Sequence, residues 1–289
     1  KVFSSANITY LKWDMNRPMS DVYSASLPSE RQGEFYHRYM LGLYEVLDRF
    51  TKRFPDILLE SCSGGGNRFD LGMLCYSPQV WTSDNTDAVC RLSIQQGTSY
   101  GYPLSTMGAH VSAVPNHQSG RITPLETRFN VAAFGCLGYE LDVTKLSPEE
   151  KDVVRRQVAY YKRHRKLFQY GTFYRVDAPL DKKKTIWTVV SPDRTEAVAG
   201  WYQVLEQPTY GEDMLKTLGL NPEWDYIVDG REQECMVFGN GKPLCEEHYE
   251  AGGDMLNYRG IKLKQQSPSG GGLRQFSDFG SRTYAIKKR

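Results

Sequence analysis

The sequence predicts an α/β fold in which a parallel βα portion is followed by a separate antiparallel β domain. Three observations predict it. Up to about residue 170, short apolar runs alternate with helical segments; after Gly171 the chain turns to β-branched runs broken by Pro, Asp and Gly; and two of the early runs close on a carboxylate.

The first run, Ile8 to Trp13, closes on Asp14, and a helix from about Ser29 to Arg53 is stopped by Pro55. Ile57 to Glu60 leads into Cys62-Ser-Gly-Gly-Gly-Asn-Arg68, and Val80 to Ser83 closes on Asp84 with a helix behind it. Met107 to Val111, a helix starting near Pro124, and Tyr139 to Val143 follow. Ser147-Pro-Glu-Glu opens a long helix to Phe168, because it sets a capping hydroxyl, a proline at the first helical position and two acids against the helix dipole. Beyond Gly171 the strands are Thr172 to Val176, Thr185 to Val190 and Val198 to Val204, with Arg282 to Ile286 closing the sheet after a Ser267-Pro-Ser-Gly-Gly-Gly turn. The expected domains are therefore 1–171 and 172–289. Five strand-like runs fall short of the eight that close a barrel, so the chain is expected to start in mid-domain.

Composition narrows the function classes. Of 289 residues 24% are charged and 40% hydrophobic, and 36 basic against 34 acidic side chains leave a formal charge of +2, which asks for no nucleic acid or other polyanion. No run approaches the roughly 18–20 apolar residues of a membrane helix, and Lys1-Val-Phe-Ser-Ser has no apolar leader, so a soluble cytoplasmic chain without a membrane partner is expected. Cys62, Cys75, Cys90, Cys136, Cys235 and Cys245 match no CxxC metal spacing and no dense disulfide framework. They read as reduced thiols, with a Cys235–Cys245 bridge across a hairpin as the alternative.

In α/β barrels the active site forms at the C-terminal ends of the strands, which singles out Asp14 and Asp84. A retaining glycosidase needs such a pair, about 5–5.5 Å apart, one ionised to attack and one protonated to assist departure. Lys12 shares the strand face of Asp14, and its ammonium would favour the ionised carboxylate. Asp84 sits between Trp81 and Asn85, surroundings that by themselves leave its role open; capping of the next helix is the bland alternative for either aspartate. The three glycines 64–66 permit close approach to a ligand or simply a tight turn, and they lack the spacing of a phosphate loop. His110 reads equally as pocket-lining or structural. Asp87 competes with Asp84, whose strand-end position favours it. Arg91 and Arg128 read as solvated helix residues or salt-bridge partners, and Trp187 and Trp201 as core or interface aromatics of the β domain.

Lys12-Trp-Asp-Met-Asn-Arg17, Glu60-Ser-Cys-Ser-Gly-Gly-Gly-Asn-Arg-Phe-Asp70 and Trp81-Thr-Ser-Asp-Asn-Thr-Asp87, in that order, resemble glycoside hydrolase family 36, the microbial α-galactosidases. Met107-Gly-Ala-His-Val-Ser112, Gly138-Tyr-Glu-Leu-Asp142, Gly252-Gly-Asp-Met-Leu and Asp278-Phe-Gly-Ser-Arg282 extend the resemblance along nearly the whole chain. It implies about strands 4–8 of a (β/α)8 TIM barrel followed by an antiparallel β-sandwich. It also implies retaining hydrolysis of terminal α-galactosides of the melibiose and raffinose type, with no metal or cofactor. Asp14 is then the nucleophile ending strand four and Asp84 the general acid/base ending strand six, with Lys12, Asn16, Cys62 and Gly65 near the bound sugar. The resemblance further implies a homo-oligomer, often a tetramer. Asn67 stands where many members have glycine, which leaves an N-acetylgalactosaminidase or a galactosyl-transferring relative as alternatives. The absence of strands one to three predicts a C-terminal portion of a longer enzyme, poorly active alone, or a non-catalytic subunit that needs a partner chain to complete the barrel.

Overall fold

A computed structural model of the chain describes residues 2–16, 20–177, 184–206, 214–233, 247–263 and 278–289. The predicted Ser267 turn and the Cys235–Cys245 pair lie outside them. The chain forms two compact units, 1–84 with 106–108, and 85–105 with 109–289.

The first unit opens with the short helix α1 (Val2–Ser5) and the strand β1 (Tyr10–Asp14). A 3-10 turn at Ser29–Glu34 leads into α2 (Phe35–Arg53), so the predicted helix is α-helical only from Phe35, past Gly33. Then come β2 (Leu58–Cys62), α3 (Leu71–Leu74), β3 (Gln79–Trp81) and the first residues of β4 (Met107–Ser112). β1, β2 and β3 are parallel neighbours in chain order, and Val80–Trp81 pair in parallel with Met107–Gly108. Apolar alternation on β1 turns Leu11, Trp13 and Met15 toward Leu47 of α2, Leu59 of β2 and Met73 of α3. The intervening residues Lys12 and Asp14 therefore lie on the opposite face.

In the second unit α4 (Ala88–Thr98) precedes the remainder of β4, followed by α5 (Leu125–Ala132), β5 (Cys136–Glu140) and α6 (Pro148–Tyr170). β5 runs earlier than the predicted Tyr139–Val143. Asp142 instead opens a 3-10 turn, its carboxylate accepting from the Thr144 amide at 3.0 Å and hydroxyl at 2.6 Å, and this local capping takes Val143 out of the strand. At α6 the predicted start holds: Ser147 caps the Glu150 amide at 3.2 Å and Glu150 reaches back to the Ser147 amide at 2.9 Å.

The antiparallel part comprises β6 (Thr172–Asp177), β7 (Lys184–Val190), β8 (Glu196–Gln203), β9 (Met214–Leu215), β10 (Asp225–Gly230), β11 (His248–Gly252), α7 (Gly253–Tyr258), β12 (Ile261–Lys262) and β13 (Ser281–Lys288). Six of these strands form one sheet in the order β11-β10-β13-β8-β7-β6, and β9 pairs with β12. Among the described residues the two-stranded pair and α7 take the place of a second full sheet. Leu215, Leu256 and Ile261 pack there against Trp201, Tyr226 and Ile286. On the other face, Trp187 and Tyr202 meet Phe134, just after α5, which in turn packs on Phe168 in the last turn of α6. Trp187 and Trp201 are thus core residues, and the packing of α5 and α6 on this sheet is why the compact units do not divide near residue 171.

Arg91 and Arg128 are not solvated. Both are buried, and burial lowers the Arg91 guanidinium to about 10 and lowers that of Arg128 as well. Arg128 donates to the Ser112 carbonyl at 2.6 Å.

Candidate active site

The parallel register sets Lys12 beside Glu60 and Asp14 beside Cys62, and sets Glu60 beside Gln79. Paired residues of parallel strands share a face, so Lys12, Asp14, Glu60, Cys62, Gln79 and Trp81 project together. Lys12 was expected to serve Asp14. Its ammonium instead lies 3.7 Å from Glu60 Oε1 and 5.0 Å from the Trp81 ring centre, because the cross-strand neighbour is closer than the residue two positions along the same strand. Glu60 is 3% exposed and also accepts from the Tyr10 hydroxyl and, at 3.1 Å, from Gln79 Nε2.

Asp14 is exposed at the strand end, and Asn16 Nδ2 donates to it at 2.8 Å. The Asn16 carbonyl oxygen turns the other way and accepts from the Gly64 amide, so one side chain links the carboxylate to the glycine turn after β2. That turn is held further by Ser63 Oγ donating to the Met15 carbonyl at 2.8 Å and by the Ser63 amide donating to the Gly65 carbonyl at 2.9 Å. Gly64 and Gly65 have φ of 52° and 84°, which L side chains rarely adopt. A Cβ on Gly65 would stand 2.6 Å from Ser83 Cα and 2.9 Å from the Asp84 amide nitrogen. The turn therefore needs glycine for conformation and for its close approach to the backbone that carries Asp84.

The six sequence-predicted positions, Lys12, Asp14, Asn16, Cys62, Gly65 and Asp84, all fall in the first unit. Cys62 is buried, and burial is the main cause of its raised thiol pKa. The Gly65 backbone and Lys12 pull against this, while Asp14 and Asp84 both add to it. The sequence did not single out Glu60 as the partner of Lys12. The available signal was an acid inside the run Ile57 to Cys62, facing a lysine across the register.

Asp84 caps no helix. Asp87 does: in the second unit it accepts from the Val89 amide at 3.0 Å to open α4, it is 2% exposed, and Arg121 pairs with its other oxygen. His110 bonds Glu140 at 2.8 Å and fills the space that a side chain at Gly138 would need. Among the described residues no group of three or more His, Cys, Asp or Glu side chains converges as a metal site, and no helix is long and apolar enough to cross a membrane.

Parallel strands with carboxylates and a glycine turn at their C-terminal ends, followed by an antiparallel β region, are the layout of a barrel glycoside hydrolase. The chain belongs to the Melibiase family, which it matches over residues 1–171, and residues 184–286 match the glycosyl hydrolase family 36 C-terminal domain. It is 50% identical to alpha-galactosidase AgaA of Geobacillus stearothermophilus over 99% of this chain and 36% of that protein. It is 53% identical to alpha-galactosidase 1 of Pediococcus pentosaceus over 86% of this chain and 35% of that one. The crystal structure of AgaA with raffinose superposes with a TM-score of 0.86, covering 100% of this chain and 36% of that chain. The alpha-galactosidase of Lactobacillus brevis, 45% identical, gives the same TM-score and coverage. The chain thus spans about a third of the length of the relatives it matches.

Proposed function

We propose that this chain supplies the catalytic carboxylates of a retaining α-galactosidase that removes terminal α-linked galactose from oligosaccharides of the melibiose and raffinose type. Asp14 attacks the anomeric carbon, forming a carboxylate ester as the glycosidic bond breaks, and Asp84 gives its proton to the departing oxygen. Asp84 then takes a proton from water, whose oxygen attacks the same carbon and releases Asp14. Net stereochemistry is retained, and no metal or cofactor takes part.

The observation that carries this reading is local: Asp14 ends β1, Asp84 follows β3, and the β2 turn between them is bonded to Asp14 through Asn16 and packed on the backbone of Asp84. The relatives support it. AgaA structures with raffinose and with stachyose carry substituted aspartates separated by the same number of positions as Asp14 and Asp84. In this reading Lys12, Asn16, Cys62 and Gly65 shape the sugar site, with Lys12 held by Glu60 and Trp81. The thiols of Cys62, Cys75, Cys90 and Cys136 are free, in keeping with a cytoplasmic enzyme. A homotetramer is the expected assembly.

The test uses the full-length gene product. Asp14→Ala and Asp84→Ala should each lose most turnover on nitrophenyl α-galactoside, and azide should rescue each with opposite stereochemistry. β-Galactosyl azide comes from Asp14→Ala, where azide replaces the nucleophile, and α-galactosyl azide from Asp84→Ala, where it intercepts the ester. Near-normal turnover in Asp14→Ala sinks the assignment. Asn67 in the glycine turn favours a second reading, an α-N-acetylgalactosaminidase; comparing the two nitrophenyl glycosides separates them.

A further inference from the structure

The second unit holds a pocket of about 420 Å³ between α6 and the strands β10 and β13. On α6, Arg156, Tyr160, Arg163 and His164 recur at the spacing of one helix face. Arg231, just after β10, and Lys287 of β13 stand across from them. Ala159 and Ala285 present only methyl groups where the helix and sheet meet.

The hydrogen-bonding balance of this pocket is one-sided. Arg156, Arg163 and Lys287 have no ion-pair partner among the described residues. Nearby carboxylates are already engaged or few. Asp229 pairs with His248 at 2.7 Å, Glu126 takes Arg231 at 2.6 Å, and among the described lining residues Glu232 is left on the rim. Burial and the like charges of Arg163 and Lys287 lower the His164 imidazole to about 4, the response of a base in a positive field. Donors thus outnumber acceptors around a space of small-molecule size.

We infer that this pocket binds a phosphate group, free or carried on a small molecule, held by Arg156, Arg163 and Lys287. A phosphate, with more oxygens and more negative charge than a carboxylate, suits three cations around one space better. The site is independent of the proposed galactosidase chemistry and uses none of its residues.

Isothermal titration of the full-length protein with inorganic phosphate, alongside melting curves, tests the inference. Saturable binding with a rise in melting temperature is expected. The double variant Arg156→Gln/Arg163→Gln should weaken binding at least about tenfold. Arg165→Gln, an exposed change on the same helix outside the pocket, should leave it intact. Melting without phosphate and kcat/KM on nitrophenyl α-galactoside should stay unchanged in both variants. Substituting a hexose phosphate separates the sources: tighter binding points to a phosphate ester, equal binding to inorganic phosphate. Absence of saturable binding, or equal loss in Arg165→Gln and the double variant, overturns the inference.

Discussion

Gly65→Ala tests whether the glycine turn positions Asp84, the proposed acid/base. The new Cβ would lie 2.6 Å from Ser83 Cα, roughly 1 Å inside the 3.5–4.0 Å contact optimum, and 2.9 Å from the Asp84 nitrogen. Both obstacles are backbone, so no side-chain rotation relieves them, and a φ of 84° adds about 1–2 kcal/mol for an L residue. Overpacking of this kind adds about 1–3 kcal/mol more. Relief comes by displacing Ser83–Asp84 or the turn by about 1 Å, and a misplacement of that size costs about 100-fold in turnover. The assay is steady-state hydrolysis of nitrophenyl α-galactoside by the full-length enzyme, with a melting curve to confirm folding. Gly120→Ala is the control, since Gly120 has φ of 68° with nothing near its Cβ. It should cost about 1 kcal/mol of strain and leave kcat alone. A folded Gly65→Ala enzyme with kcat within about threefold of the parent would refute the reasoning.

Glu126→Ala strands the buried Arg231 guanidinium and should destabilise the second unit by about 3–5 kcal/mol in denaturant titration, whereas an exposed pair such as Lys52–Asp48 should cost under about 1 kcal/mol. Cys62, whose burial raises its thiol above the ordinary 9.0, should alkylate at pH 8 far more slowly than exposed Cys75 by mass mapping. His164 falls from 6.5 unfolded to about 4 folded, so the unfolded chain binds the extra proton between those values. Stability is then lost as pH drops through 6.5 toward 4, and His164→Gln should flatten the fall in melting temperature over that window.

Local signals carried the order of the strands, the α6 cap and Asp14 at its strand end, because apolar alternation and capping chemistry are written within a few residues; β3 stops at Trp81, so Asp84 lies in the loop beyond it rather than closing the strand. They misplaced β5 where Leu141 and Val143 lent an apolar look to a segment that the Asp142 side chain turns into a 3-10 loop. The sequence reads Arg91 and Arg128 as solvated helix residues or salt-bridge partners, because nothing next to them in the chain reveals their burial. Asp87 competed with Asp84 until α4 claimed it as a cap.

By itself the sequence determined the order of elements, the family motifs and which residue types stand at the strand ends. Only the tertiary structure decided what those residues touch. Lys12 answers to Glu60, 48 positions along, rather than to Asp14, and Arg231 answers to Glu126 across 105 positions. The physical reason is that charges and hydrogen bonds act over a few ångströms of space, and the register between strands, not distance along the chain, sets which groups come that close.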